Sequence, residues 1–195
     1  MNRNTHSPLQ YIMEDLKETL VNSVARKIGV ATITSGIKMV RSAIDDTPNK
    51  IDTMKIAQAF VNVGLGDLPM TTLDNDYETI TWDEWQPVLD TIKSIASYFP
   101  WTAEYFDCDN RANFVKSFAD KFTDVNTCGL AYLQIYHATT GAKLFLHYCN
   151  IILTTDGKLH LFDVDNNGGT ITEIVKGQKI VGGIWRYEVL STRWF

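Results

Sequence analysis

The chain has 195 residues, of which 45% are apolar and 21% charged, with a formal net charge of −5. That length suffices for one full core, or for one core plus a small helical lobe. The acidic balance and the scatter of the 18 basic residues argue against a nucleic-acid backbone or an anionic membrane as the main partner.

Residues 1–30 set acids inside an apolar periodicity, so they read neither as a secretory signal nor as a membrane span. Ser7-Pro8 starts a helix, with proline at the first helical position. Leu9, Ile12, Met13, Leu16, Leu20, Val24 and Ile28 recur at helical spacing until Gly29. A second helix follows Ser35 through Ile37, Val40 and Ile44, and a third spans Ile51 to Val63. The polar stretch from Asp67 to Glu78 reads as a loop. Thr81-Trp82-Asp83-Glu84 is a capping box that opens a helix through Val88, Leu89, Ile92 and Ile95. This helix stops before Pro100, and Pro87 falls in or just past its first turn.

Next comes "YFPWTAEYFDCDNRANFVKSF", Tyr98 to Phe118. Asp107 is a good N-cap residue, which makes Cys108 the first residue of a helix running to about Phe122. After Asn126 the composition turns aromatic and β-branched. Strands are expected over Cys128 to His137, Ala142 to Leu153 and Lys158 to Val164, with two more after Thr170. Thr140-Gly141, Asp156-Gly157, Gly168-Gly169 and Gly182-Gly183 separate them. Helices first and an antiparallel sheet second predict an α+β fold, with a helical N-terminal lobe over residues 1–80 and an α+β core over residues 81–195. The cysteines, Cys108, Cys128 and Cys149, are odd in number and not closely spaced, which points to free thiols in a reducing, cytoplasmic compartment.

Cys108 poses the chemical question. At a helix N-terminus the partial positive charge favours the nucleophilic thiolate, while Asp107 and Asp109 oppose it. Against a chemical role, Cys108, Ala112, Val115, Ala119 and Phe122 form one helical stripe that suits a core. Further along, "LFLHYCNIILTTDGKLHLFDVDNN" reads as a hairpin with a histidine on its first strand and acids at the end of its second. A three-residue loop Thr155-Asp156-Gly157, with Gly157 left-handed, sets His147 opposite Asp165 and places Asp163 on the same face.

The order Cys108, His147, Asp163 resembles the transglutaminase-like branch of the papain-like cysteine-enzyme superfamily. The matching pieces are Asp107-Cys108-Asp109, His147-Tyr148-Cys149-Asn150, Asp156-Gly157 and Leu161-Phe162-Asp163. The resemblance implies one central helix packed on an antiparallel β-sheet, acyl transfer on a peptide or amide substrate, and no cofactor. In that scheme Cys108 is the nucleophile, His147 the general base and Asp163 the orienting acid, with Asp165 as the other candidate. Trp101 or Tyr105 would join the Cys108 N–H at an oxyanion, and Asn150 stands close behind the histidine. Asn110, Cys149 and the absence of a proline after Asp163 depart from the pattern.

Two metal readings compete for the same residues. Asp163, Asp165, Asn167 and Gly168 match the start of a calcium loop, but position twelve is Ile174 and Glu173 is one short. Zinc on Cys108, Cys128, His147 and Cys149 lacks any paired spacing, so no metal is expected. Trp82, Trp85, Trp101, Trp185 and Trp194 keep a different class open: a catalytically inactive binding or structural protein that takes carbohydrate or a protein partner.

Overall fold

The computed structural model describes Ser35, Lys38 and residues 48–98, 107–166 and 169–194. The chain divides into two compact units, Met1–Lys38 and Met39–Phe195. The helices expected from Leu9 to Ile28 and through Ile37 to Ile44 lie outside the described residues.

The second unit is built mainly of sheet. In order it runs β1 (Asn49–Asp52), α1 (Thr53–Asn62), β2 (Met70–Thr72), β3 (Asp76–Thr79), α2 (Trp82–Ala96), α3 (Cys108–Thr123), β4 (Cys128–His137), β5 (Lys143–Leu153), β6 (Leu159–Asp163), β7 (Thr170–Glu173), β8 (Ile180–Gly182) and β9 (Trp185–Trp194). The large sheet has the order β2-β9-β4-β5-β6-β7, with β8 beside β9, and β1 pairs with β3 in a separate ribbon. All its pairings are antiparallel except β2 with β9, which is parallel.

This corrects the expected helices-then-sheet α+β fold and its papain/transglutaminase-like core. The described residues hold nine strands and three short helices, and three of the strands precede α2. Two of these, β2 and β3, fall in the stretch read as a loop. Their sequences, MTT and DYET, are short and polar, so no apolar alternation announces them; pairing with β9 and β1 decides their conformation.

Local signals elsewhere work as chemistry requires. Thr81 caps α2 reciprocally, the Glu84 N–H donating to Thr81 Oγ1 at 3.3 Å and the Thr81 N–H to Glu84 Oε2 at 2.8 Å. Thr81→Ala should lower stability by about 1 kcal/mol in urea denaturation. Pro87 sits inside α2, past the first turn.

The β5–β6 hairpin turns as its sequence indicates. Gly157 has φ +80° and its N–H bonds to the Thr154 carbonyl at 2.9 Å. The ladder pairs Leu153 with Leu159 and Asn150 with Phe162, a register that carries His147 towards Asp165.

Alternation along the strands sends Ala131, Leu133, Ile135, Cys149, Ile151, Leu153, Leu159 and Leu161 into a core with Ile56, Phe60 and Trp194. The intervening Asn150 instead ties β5 to α3, its Nδ2 donating to the Ala112 carbonyl at 2.9 Å and the Gly129 carbonyl at 3.4 Å.

Gly129 marks a close approach of one strand's backbone to another. A Cβ there would lie 2.8 Å from the Arg193 carbonyl oxygen and 2.9 Å from the Trp194 ring. Because a backbone carbonyl in a sheet cannot easily yield, Gly129→Ala should cost about 1–3 kcal/mol, read as a lower urea midpoint at unchanged slope.

Candidate functional site

Cys108 opens α3 and is half-buried. Asp107 is the N-cap residue by backbone, but its carboxylate makes no capping hydrogen bond. It accepts from Asn110 Nδ2 at 3.1 Å instead. The mutual interaction of Asp107 and Asp109 holds the first carboxyl below and the second above its ordinary value. Of the two acids flanking Cys108, Asp107 is thus occupied with Asn110.

His147 lies on β5 and is buried. Its Nε2 meets Asp163 Oδ1 at 3.1 Å, and Cys108 lines the same cleft, near enough to act on the ring's charge. Burial by itself would lower the imidazole pKa. The Asp163 and Cys108 contacts outweigh it and push the value up to about 9.

Asp163, at the end of β6, is 2% exposed. Its Oδ1 also accepts the Asp165 N–H at 3.1 Å, and its Oδ2 accepts the Tyr187 hydroxyl at 3.1 Å. Tyr187 Oη accepts in turn from Asn166 Nδ2 at 2.7 Å. Asp165 takes no direct place on the histidine: it forms an ion pair with Arg111 of α3, and burial raises its carboxyl above the usual range.

Cys108, Phe145, Leu146, His147, Asp165 and Trp185 line a cleft of about 360 Å³, the size range of small-molecule sites. Trp185 presents its ring near edge-on to Phe145 at 5.4 Å and to His147 at 5.7 Å. Phe145 and Leu146 are 45% and 52% exposed and form an apolar rim.

Thus Cys108, His147 and Asp163 come together, Asp165 forms a wall, and Asn150 on β5 reaches the α3 backbone at Ala112. Trp101 and Tyr105 lie outside the described residues. Sequence reasoning gave no site role to Arg111, Asn166 or Tyr187, and named Trp185 only as one of five tryptophans open to a binding role. Trp185 and Tyr187 sit two apart on β9, and only the pairing of β9 with β4 brings them near β5.

Of the other tryptophans, Trp85 and Trp194 are fully buried, and Trp82 stacks on His160 at 3.9 Å. Burial pushes the Cys128 thiol up to about 12 and that of Cys149 well above its ordinary value. Neither resembles a reactive group.

His147, Asp163 and Asp165 hold ligand atoms within 4.8 Å of one another. All three already have protein partners, His147 and Asp163 in each other and Asp165 in Arg111. Where a calcium loop would need its later ligands and a flanking helix, Thr170–Glu173 is strand β7. Among the described residues no helix is long and apolar enough to cross a membrane.

The pH dependence follows from His147. Its folded pKa, about 9, lies above the unfolded value near 6.5. The stabilisation is fully present below about pH 6.5 and is lost as pH rises through 9. Unfolding free energy should fall by about 3 kcal/mol between pH 6.5 and 9, and His147→Gln should remove most of that fall.

No family model matches the chain, and no curated protein matches it. Solved structures do. A Polyporus squamosus lectin bound to the human-type influenza-binding epitope Neu5Aca2-6Galb1-4GlcNAc superposes with a TM-score of 0.51 at 16% identity, covering 74% of this chain and 49% of that one. A PSL1a–E64 complex gives a TM-score of 0.49 at 16% identity, with coverage of 74% and 51%. The chain spans about half the length of these neighbours, and the likeness is one of fold. It overturns the assignment to the transglutaminase-like branch of the papain-like superfamily, and with it the reading as a cysteine protease of that group: the sheet-rich fold is that of a chain from a lectin.

Proposed function

We propose that the chain is a carbohydrate-binding protein and that the cleft beside Trp185 receives the sugar. The observation that carries this is the cleft's composition: the aromatic rings of Trp185 and Phe145 next to Asp165 and His147. Aromatic rings take the C–H face of a pyranose, and a few convergent polar groups orient its hydroxyls. The fold likeness to a lectin supports the same class. Titration calorimetry with Galβ1-4GlcNAc and with the sialylated trisaccharide should show binding of at least one, weakened about tenfold or more in Trp185→Ala. Heat equal to buffer dilution for both sugars would reject the reading.

A second reading has its own observation, the His147–Asp163 hydrogen bond with Cys108 beside His147 in the same cleft. In it the cleft performs acyl transfer through the Cys108 sulfur. The sulfur attacks an ester or amide carbonyl, the C–S bond forms as the bond to the leaving group breaks, and the His147 proton goes to the leaving group. With p-nitrophenyl acetate the adduct would be an acetyl group on Cys108, found by peptide mass spectrometry and absent from Cys108→Ala. An unmodified Cys108 after prolonged exposure removes this reading and leaves the first intact.

A further inference from the structure

Behind His147 runs a chain of buried polar groups that neither sugar binding nor thiol chemistry requires by itself. Asn166 is 3% exposed and Tyr187 4%. Asn166 Nδ2 donates to the Gly182 carbonyl at 2.8 Å and to Tyr187 Oη at 2.7 Å. Tyr187 then has its own proton left to give, and gives it to Asp163 Oδ2.

The surroundings are shaped to hold the phenol in place. A Cβ on Gly182 of β8 would lie 2.6 Å from the Thr170 methyl, 3.0 Å from the Tyr187 ring and 3.1 Å from its Oη, so residue 182 must be small. Burial and the neighbouring Asp163 keep the phenol's pKa far above its ordinary value, which makes it a donor at every working pH.

We propose that Tyr187, itself oriented by Asn166, is a positioning residue that fixes the Asp163 carboxylate with Oδ1 towards His147, and so aims the His147 ring at Cys108. This rests on the reading that Cys108 and His147 act as a pair. The physical reason is geometric. A carboxylate held by one oxygen can rotate about its Cβ–Cγ bond, whereas one bonded through both oxygens cannot. Asp163 Oδ1 is fixed by the Asp165 N–H and met by His147; among the described residues only Tyr187 holds Oδ2.

The charged and titratable groups around His147 are Asp163 at the end of β6, Asp165 just beyond it, Cys108 and Arg111 on α3, Cys149 on β5 and Tyr187 on β9. Of these, Asp163 and Cys108 raise its pKa. If the carboxylate turns away, burial is left to act and the value falls.

The test combines two readouts on Tyr187→Phe, which keeps ring volume and removes only the hydroxyl. The His147 titration followed by NMR should drop by about one pH unit or more from about 9. Iodoacetamide alkylation of Cys108 at pH 6 should slow about tenfold. Asn166→Ala, which keeps the hydroxyl but releases it, should move both readouts the same way by less. It also serves as the test if Tyr187→Phe does not fold.

An unchanged His147 titration in a folded Tyr187→Phe or Asn166→Ala, with alkylation as fast as wild type, overturns the proposal. His147→Ala run alongside separates the two ideas. If His147→Ala slows alkylation while Tyr187→Phe does not, only the positioning role fails. If neither does, the Cys108–His147 pairing fails first.

Discussion

Asp163→Ala is expected to cost about 3–5 kcal/mol of stability, and to move the His147 pKa from about 9 to below its ordinary 6.5. Three donors converge on this buried carboxylate: the His147 ring, the Asp165 N–H and the Tyr187 hydroxyl. Removing it leaves all three in a dry site, and a donor stranded without a partner costs more than its hydrogen bond was worth. The direction of the histidine shift follows from the same geometry. Burial is the largest influence on His147 and lowers its pKa, while Asp163 supplies the main opposing contact. Urea denaturation at pH 7 checks the first part and an NMR titration the second. A His147 that still titrates near 9 in Asp163→Ala would mean that the carboxylate is not what holds the charge.

Trp194→Ala should be comparably severe, at about 3–5 kcal/mol. Trp194 is fully buried at the end of β9 and meets Phe60 of α1 edge-on at 6.1 Å. It therefore joins the sheet to the helix on that face. Its backbone carbonyl, which accepts from the Leu73 N–H at 2.9 Å, survives the substitution, so the loss reports packing alone. The ring also fills the space that glycine leaves at position 129. Gly129→Ala and Trp194→Ala share that space and should be less than additive when combined. A double-mutant cycle in urea measures this.

The parts of the structure legible in the sequence are those fixed by neighbours in the chain. The capping box at Thr81 and the left-handed Gly157 are local chemistry, and both appear where the residues require. From the hairpin register, the approach of His147, Asp163 and Asp165 follows as well. Strand β1, NKID, and strand β3, DYET, were not legible, because four polar-rich residues paired only with each other carry no period. The parallel pairing of β2 with β9 joins residues about 120 apart, a contact that no local signal encodes.

The family assignment failed for a related reason. Cysteine, histidine and aspartate in that order will arise whenever a cysteine-bearing helix precedes a hairpin that happens to carry a histidine and then an aspartate. Such an order constrains the fold far less than strand pairing does. The aromatic wall from Trp185 and the support from Tyr187 were missed because β9 reaches the site only through β4. A list of five tryptophans could not say which one borders a cleft; the sheet order makes it Trp185, while Trp85 and Trp194 go to the interior.

The acyl-transfer reading and the positioning role of Tyr187 both depend on Cys108, His147 and Asp163 forming one coupled unit. The most direct measurement is the rate of Cys108 alkylation by iodoacetamide at pH 6 in wild type and in His147→Ala, followed by peptide mass spectrometry. Cys128 and Cys149 serve as buried internal references. The coupled site predicts that His147→Ala slows Cys108 by about a hundredfold and leaves both references unreactive. Equal Cys108 rates in the two proteins would contradict it.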